Sequence, residues 1–187
     1  MNRVIGAVLV LASACAPATR SSPAGLDRDE AAILSLVADS VLDTSEDPFV
    51  VVAESTLVFP SVSGWLAERA TQLDSTFPVT ALHDFKARNR TPVVVPRSTA
   101  SGKRIRHLRL ASFDPNRDRD SNYVLRGYAP VRSLHALSRP GFDPERRRAV
   151  MTTATGCGGF CADTRIVLLA RDARGWHVTR WEVVEQG

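Results

Sequence analysis

The second half of the chain is a succession of strand-like segments joined by turn sequences, and this feature restricts the fold more than any other. The four segments are residues 134–142, 148–155, 164–170 and 176–184. The connections between them are short and rich in Gly, Asp and Arg. Short connections join antiparallel neighbours, whereas parallel strands need a crossover of about a dozen residues or more. The pattern therefore predicts a four-strand antiparallel meander.

The sequence before this region is typical of helices. Asp27 and Glu30 have the spacing of a helix-capping box. An apolar stripe with helical spacing follows: Ile33, Leu34, Val37, Val41 and Leu42. A Val-rich strand over residues 49–59 and two short helices over residues 64–73 and 81–89 come next. This order predicts an α+β fold, in which N-terminal helices pack on one face of a curved antiparallel sheet that ends in the four-strand meander.

The last predicted strand carries Trp176 and Trp181, five residues apart. Regular alternation places residues at this spacing on opposite faces of a sheet. We therefore expect the two rings to face opposite sides, and core packing is the interpretation that we favour for both.

The N-terminus has the pattern of a secretory signal. Residues 1–14 combine a charged start, an apolar run too short to span a bilayer, and a small-residue end. The sequence Leu-Ala-Ser-Ala-Cys over residues 11–15 resembles a bacterial lipobox, where cleavage precedes a cysteine that receives lipid such as palmitate. The alternative is an ordinary signal cleaved after Ala14, which would leave Cys15 as an unmodified thiol.

Lipidation of Cys15 predicts firm membrane attachment, because two or three acyl chains hold a protein where one binds only marginally. Ala16 follows the cysteine, which resembles outer-membrane sorting in Gram-negative bacteria. We therefore predict a lipid-anchored protein of the bacterial cell envelope, at the outer membrane, facing the periplasm or the surface. Residues 15–25 are predicted to be the lipidated cysteine and a flexible tether, and residues 26–187 a single α+β domain.

The charge of the chain argues against nucleic acid as a partner. There are 24 basic and 20 acidic residues, which gives a formal net charge of +4. Nucleic-acid binding usually needs a concentrated basic face, and the two signs are interspersed here. The predicted partners are the membrane, through the lipid anchor, and envelope proteins, with no nucleic acid.

Cys157 and Cys161 bracket two glycines and a phenylalanine in a predicted hairpin tip. An exported protein meets an oxidising compartment, where such a pair is typically a disulfide. The two glycines permit the tight turn that this bond requires. The alternatives are a metal site, which would need further ligands, and a redox site, although the spacing differs from C-x-x-C.

A polar stretch over residues 114–122 has oxygen-bearing side chains at every second position, as a calcium loop does. The candidate ligands are Asp114, Asn116, Asp118 and Asp120. However, Arg119 stands where such a loop has glycine, and Leu125 where it has a bidentate glutamate. The alternative is a polar turn whose side chains bond to their own backbone, and we predict no cofactor.

Residues 137–178 contain several short motifs in sequence. They are Ser138-Arg139-x-Gly141-Phe142, a turn followed by Ala149-Val150, the cysteine tip, Leu168-Leu169, and Gly175-Trp176-x-Val178. Upstream, Leu82, Phe85 and Asn89 form an L-x-x-F-x-x-x-N helix motif. Together these motifs resemble an uncharacterised family of bacterial exported proteins and lipoproteins. The resemblance implies the C-terminal meander and implies no activity.

No catalytic residues can be assigned from the sequence. It contains no G-x-S-x-G nucleophile motif, no glycine-rich phosphate loop and no identifiable pair of acid and base carboxylates. We therefore predict a bacterial envelope lipoprotein with a non-enzymatic binding or structural role. The alternative is a small-molecule-binding or enzymatic domain, in which the helix-first order forms a cystatin-like or nuclear-transport-factor-like pocket.

Overall fold

Three helices and seven strands make up the described part of an α+β fold. The computed structural model describes residues 26–42, 49–58, 63–95, 104–109, 124–128, 130–131, 133–158 and 161–186. The helices are α1 (Arg28–Ser40), α2 (Ser63–Leu73) and α3 (Val79–Arg88). The strands are β1 (Phe49–Ala53), β2 (Arg104–Leu108), β3 (Leu134–Leu137), β4 (Gly141–Phe142), β5 (Arg148–Gly158), β6 (Cys161–Asp172) and β7 (Gly175–Gln186).

The seven strands form one mixed sheet in the order β2-β1-β3-β5-β6-β7, with β4 also paired to β5. From β3 to β7 the neighbours in this order are antiparallel, but β1 is parallel to both β2 and β3. The prediction of an antiparallel sheet is therefore wrong at β1. All five residues of β1 are buried, and an unbroken apolar run is typical of a parallel strand that is covered on both faces.

The segment predicted as one strand over residues 134–142 is two short strands, β3 and β4, which both pair with β5. Pro140, between them, has no N–H to donate to a ladder. The Ser138 hydroxyl accepts a hydrogen bond from the N–H of Thr152 at 2.8 Å, and the N–H of Ser138 donates to the Thr152 carbonyl at 3.0 Å. Ser138 therefore keeps the chain attached to β5 where the regular pairing is interrupted.

Helices cover both faces of the sheet, and our prediction that they share one face is wrong. The side chains of β5 and β6 that pack with α1 are Ala149, Met151, Val167 and Leu169, and those that pack with α2 and α3 are Val150, Ile166 and Leu168. None of these side chains is more than 1% exposed. Because consecutive strand residues point to opposite faces, such unbroken apolar runs need cover on both sides.

Trp176 and Trp181 lie on the same face of β7, so our prediction of opposite faces is also wrong. Their partners on β6 are Arg171 and Val167, which are an even number of residues apart and share a face. A register shift at Thr179 adds one residue to β7 between the two rings. This bulge changes the phase of the alternation, which sequence spacing alone does not reveal.

Candidate functional site

Eight charged side chains meet where α1, α3 and the segments around β4 come together. We call them the Glu30 cluster; the acids are Asp27, Asp29, Glu30 and Asp84, and the bases are Arg88, Arg139, Arg146 and Arg171. The four carboxylates balance the four guanidinium groups. The cluster therefore has no excess charge with which to attract an ionic ligand.

Glu30 lies at the centre of the cluster and is only 1% exposed. Its Oε1 atom accepts a hydrogen bond from Nε of Arg139 at 2.8 Å and lies 3.2 Å from Nη1 of Arg88. Its Oε2 atom accepts the N–H of Asp27 at 2.9 Å, and Asp27 in turn accepts the N–H of Glu30, so the predicted capping box is confirmed. These partners compensate for the large cost of removing a carboxylate from water.

Arg146 connects the cluster to the turn between β4 and β5. Its Nη2 atom donates to both carboxylate oxygens of Asp27, at 2.9 and 2.8 Å. Its guanidinium lies 4.1 Å from the centroid of the Phe142 ring, which Arg88 also approaches to 5.0 Å. The backbone of Arg146 has a φ of 52°, a conformation that a residue other than glycine adopts only where its surroundings hold it.

The surroundings of Asp27 and Arg88 keep both groups charged. Partial burial raises the pKa of Asp27, but its bonds with the N–H of Glu30 and with Arg146 outweigh this effect, and the pKa lies below its ordinary value. Burial lowers the pKa of Arg88, yet the neighbouring carboxylates, chiefly Asp84, raise it above its ordinary value. Neither group changes protonation near pH 7, so neither is suited to general acid–base catalysis.

Two of the motifs that carry the family resemblance, the L-x-x-F-x-x-x-N helix and the Ser-Arg-x-Gly-Phe segment, meet at the same place. The Asn89 side chain donates to the carbonyl of Arg139 at 2.9 Å and accepts its N–H at 2.7 Å. The N–H of Phe142 donates to the Asp84 carboxylate at 2.8 Å. Gly141 lies so close to α3 that an added Cβ would be 2.2 Å from a backbone nitrogen of that helix. In this structure, therefore, these motif residues hold α3, β4 and α1 together.

Two open grooves border β7. The Trp65 groove has a volume of about 590 Å³ and is lined by Trp65, Glu68, Arg69, Gln72 and Val184. The Trp181 groove, of about 410 Å³, is lined by Ser40, Val41, Leu73, Val178, Thr179, Arg180 and Trp181. Trp65 is 37% exposed and Trp181 45% exposed. A smaller depression of about 330 Å³ adjoins the Glu30 cluster.

The residues that the sequence predicts as sites lie wholly or partly outside the described residues. Cys15 and the calcium candidates Asp114, Asn116, Asp118 and Asp120 are among those outside. For Cys157 and Cys161 only the backbone is described: β5 and β6 meet at the predicted hairpin tip, where Gly158 pairs with Cys161. The disulfide therefore stays a prediction. Within the described ranges, no three His, Cys, Asp or Glu side chains come together as a metal site.

In comparisons with known proteins, no family model, no curated protein and no solved structure matches this chain. The resemblance of residues 137–178 to bacterial exported lipoproteins thus stays a prediction. In the part of the chain that the structure describes, none of the helices has the length and apolar character needed to cross a membrane.

Proposed function

We propose that this chain is a lipid-anchored, non-enzymatic binding or structural module of the bacterial envelope. One observation supports a non-enzymatic role: apolar side chains fill the space between the helices and the sheet on both of its faces. Apolar side chains occupy the space between α1 and one face, and between α2, α3 and the other. An interior ligand site needs polar groups that converge on a cavity. Two filled layers favour the proposal over a cystatin-like or nuclear-transport-factor-like pocket.

The Glu30 cluster supports the same proposal. Its carboxylates are engaged with arginines, and Glu30 and Asp27 also bond to backbone N–H groups. Catalytic carboxylates need a pKa near the working pH and access to a substrate. A balanced group of ion pairs around one buried carboxylate, Glu30, is suited to holding secondary-structure elements together instead.

The finer arrangement that we propose is the C-terminal meander that the sequence predicts. β3 and β4 together correspond to its first segment, and β5, β6 and β7 follow as antiparallel neighbours. Two helical layers then pack on the long strands β5 and β6, which lie near the centre of the sheet. A sheet that is covered by helices on both faces leaves its loops, its edge strands and the exposed faces of its helices available for binding.

The anchoring part of the proposal rests on the sequence before α1. Cys15 follows the apolar run, and the N-cap of α1 is Asp27. The twelve Cα-to-Cα steps from Cys15 to Asp27 span at most about 43 Å when fully extended. An acylated Cys15 would therefore hold the domain close to the membrane surface.

The Cys15→Ser variant of the full-length chain is expected to lose lipid attachment, because serine lacks the thiol that is acylated. The variant should incorporate no labelled palmitate and should keep its signal, which mass spectrometry of the N-terminus would detect. Cys157→Ser is the matched control and should be labelled and cleaved like the parent chain. A Cys15→Ser protein that is still labelled and still cleaved before residue 15 would contradict the proposed anchor.

A second candidate function, small-molecule binding, is favoured by one observation. The Trp65 groove combines an exposed indole ring with acidic, basic and amide side chains, in a volume of about 590 Å³. Known small-molecule sites have volumes of roughly 300–1,000 Å³. The groove is nevertheless open to solvent, whereas such sites usually bury most of their ligand.

A thermal melt against a panel of metabolites and peptidoglycan fragments separates the two candidate functions. A ligand at 100 times its Kd stabilises by about 2.7 kcal/mol, which raises Tm by several degrees for a domain of this size. Our first proposal, in which the binding partners are envelope proteins, predicts no such shift with any member of the panel. A shift that Trp65→Ala abolishes, but that the exposed Val79→Ala change leaves intact, would support small-molecule binding in the groove instead.

A further inference from the structure

In the part of the sheet that the structure describes, the edge strands are β2 and β7, and they differ in length and in what they expose. β2 is only five residues long and exposes Arg106. Short length and exposed charge are common ways in which edge strands avoid pairing with another chain. β7 also exposes a charged residue, Arg180, and its register shifts twice, but it is twelve residues long, contains no proline and exposes Trp181. Of the two edges, β7 is thus the one suited to association.

Within the described residues, β7 pairs with a strand on one side only, namely β6. An edge strand presents outward N–H and C=O groups, which a further strand can bind. The register of β7 against β6 is regular from Arg180 to Val183 and shifts on either side of that stretch. Since bulges discourage long edge pairing, a partner strand would be centred on this regular stretch.

The sequence of the regular stretch is self-complementary. If two copies of β7 pair antiparallel with Trp181 opposite Trp181, Arg180 of each copy lies opposite Glu182 of the other. Arg180 pairs with Leu168 of β6 and Glu182 with Ile166, so both charges lie on one face of the sheet. Nη1 of Arg180 donates to the Leu73 carbonyl at 2.6 Å, and a guanidinium has further N–H donors with which to meet a carboxylate. Opposite charges directly across two antiparallel strands attract each other, and symmetry gives this pair twice.

The position of Trp181 fits the same arrangement. The ring is 45% exposed, although the Arg165 guanidinium lies 5.1 Å from its centroid. On the two-fold axis, each ring would cover the other and remove apolar surface from water. We propose that the occupant of this edge is a second copy of the chain, which pairs through β7 about a two-fold axis at Trp181. The inference goes beyond the proposed function and does not depend on it.

Cysteine cross-linking in the full-length chain tests the register. Antiparallel partners have Cα atoms about 4.5–5.5 Å apart, which a disulfide can bridge. Trp181→Cys is therefore expected to give a covalent dimer on a non-reducing gel after mild oxidation. Thr179→Cys is the matched control, since its two copies would be about 13 Å apart along the strands, too far for a bond. The parent chain shows any background from its own cysteines.

Exchanging the charges of Arg180 and Glu182 in the Trp181→Cys variant tests whether these two residues attract each other across the interface. Adding Arg180→Glu or Glu182→Arg alone should lower the dimer yield about fivefold or more, because each variant faces like charge twice. Combining both changes in one chain should restore the yield. Restoration would show that the charges act across the interface and not through folding. Because Trp181→Cys removes the ring itself, size-exclusion chromatography of the parent chain accompanies the cross-linking. A parent chain that elutes as a monomer, equal dimer from Thr179→Cys, or no restoration by the combined changes would each overturn the proposal.

Discussion

The Gly141→Ala variant is expected to lose at least about 3 kcal/mol of unfolding free energy, or to fail to fold. A Cβ at residue 141 would lie 2.2 Å from the backbone nitrogen of Phe85 and 2.4 Å from the carbonyl oxygen of Ala81. These atoms belong to the backbone of α3, so no side-chain rotation can relieve the contact. The helix or β4 would have to move, and the hydrogen bond from the N–H of Phe142 to Asp84 would be disturbed.

Chemical denaturation of the parent and variant proteins measures this effect. Gly156→Ala is the matched control, because a Cβ there meets no atom within 4 Å. It makes the same chemical change in the same sheet, and it should alter stability by less than about 1 kcal/mol. If Gly141→Ala were as stable as Gly156→Ala, the close packing of β4 on α3 would be refuted.

The Arg139→Met variant is expected to lose about 3–5 kcal/mol, because it removes the closest partner of a buried carboxylate. Glu30 is 1% exposed, and both Nε and Nη2 of Arg139 lie 2.8 Å from its Oε1 atom. Methionine retains most of the apolar volume of the side chain, so the loss reports mainly on the charge. Arg88 would remain as a second, more distant partner.

Urea denaturation at neutral pH measures the change in the free energy of unfolding, and Arg90→Met is the control variant. Arg90 is exposed just after α3, and replacing it should change stability by less than about 0.5 kcal/mol. Equal and small losses in the two variants would mean that the Glu30 cluster contributes nothing measurable. Arg139→Lys should recover only part of the loss, since lysine cannot reproduce the planar fork of donors.

Local features of this fold could be predicted from the sequence, and the features that depend on distant contacts could not. The capping box of α1 depends on two residues three apart, and it is present as predicted. The positions of β5, β6 and β7 follow from turns within the sequence. The sequence analysis did not predict that β1 is parallel to β2 and β3. It relied on short connections between consecutive strands, and long segments of chain separate β1 from both of these neighbours. The unbroken apolar run of β1 was the available signal.

The Glu30 cluster was missed for a related reason. Glu30 and Arg139 are 109 residues apart in the chain. With 24 basic residues against 20 acidic ones, the sequence offers many possible partners for each charge. Only the fold brings α1, α3 and the β3–β4 connection together. The motif residues Asn89, Arg139 and Gly141 form a recognisable sequence pattern, but their contacts between α3 and the β3–β4 connection depend on the fold.

The placement of β1 between β2 and β3 has a consequence for how the chain folds while it is synthesised. Both neighbours of β1 are synthesised after it, and α1 packs on side chains of β5 and β6. The first third of the domain can therefore pack α1 against β1 early, but it cannot complete the burial of its apolar surface until β5 and β6 have been synthesised. Folding dominated by such distant contacts is slow. A chain that emerges from the ribosome N-terminus first would thus keep part of its core surface exposed until β5 and β6 have been synthesised.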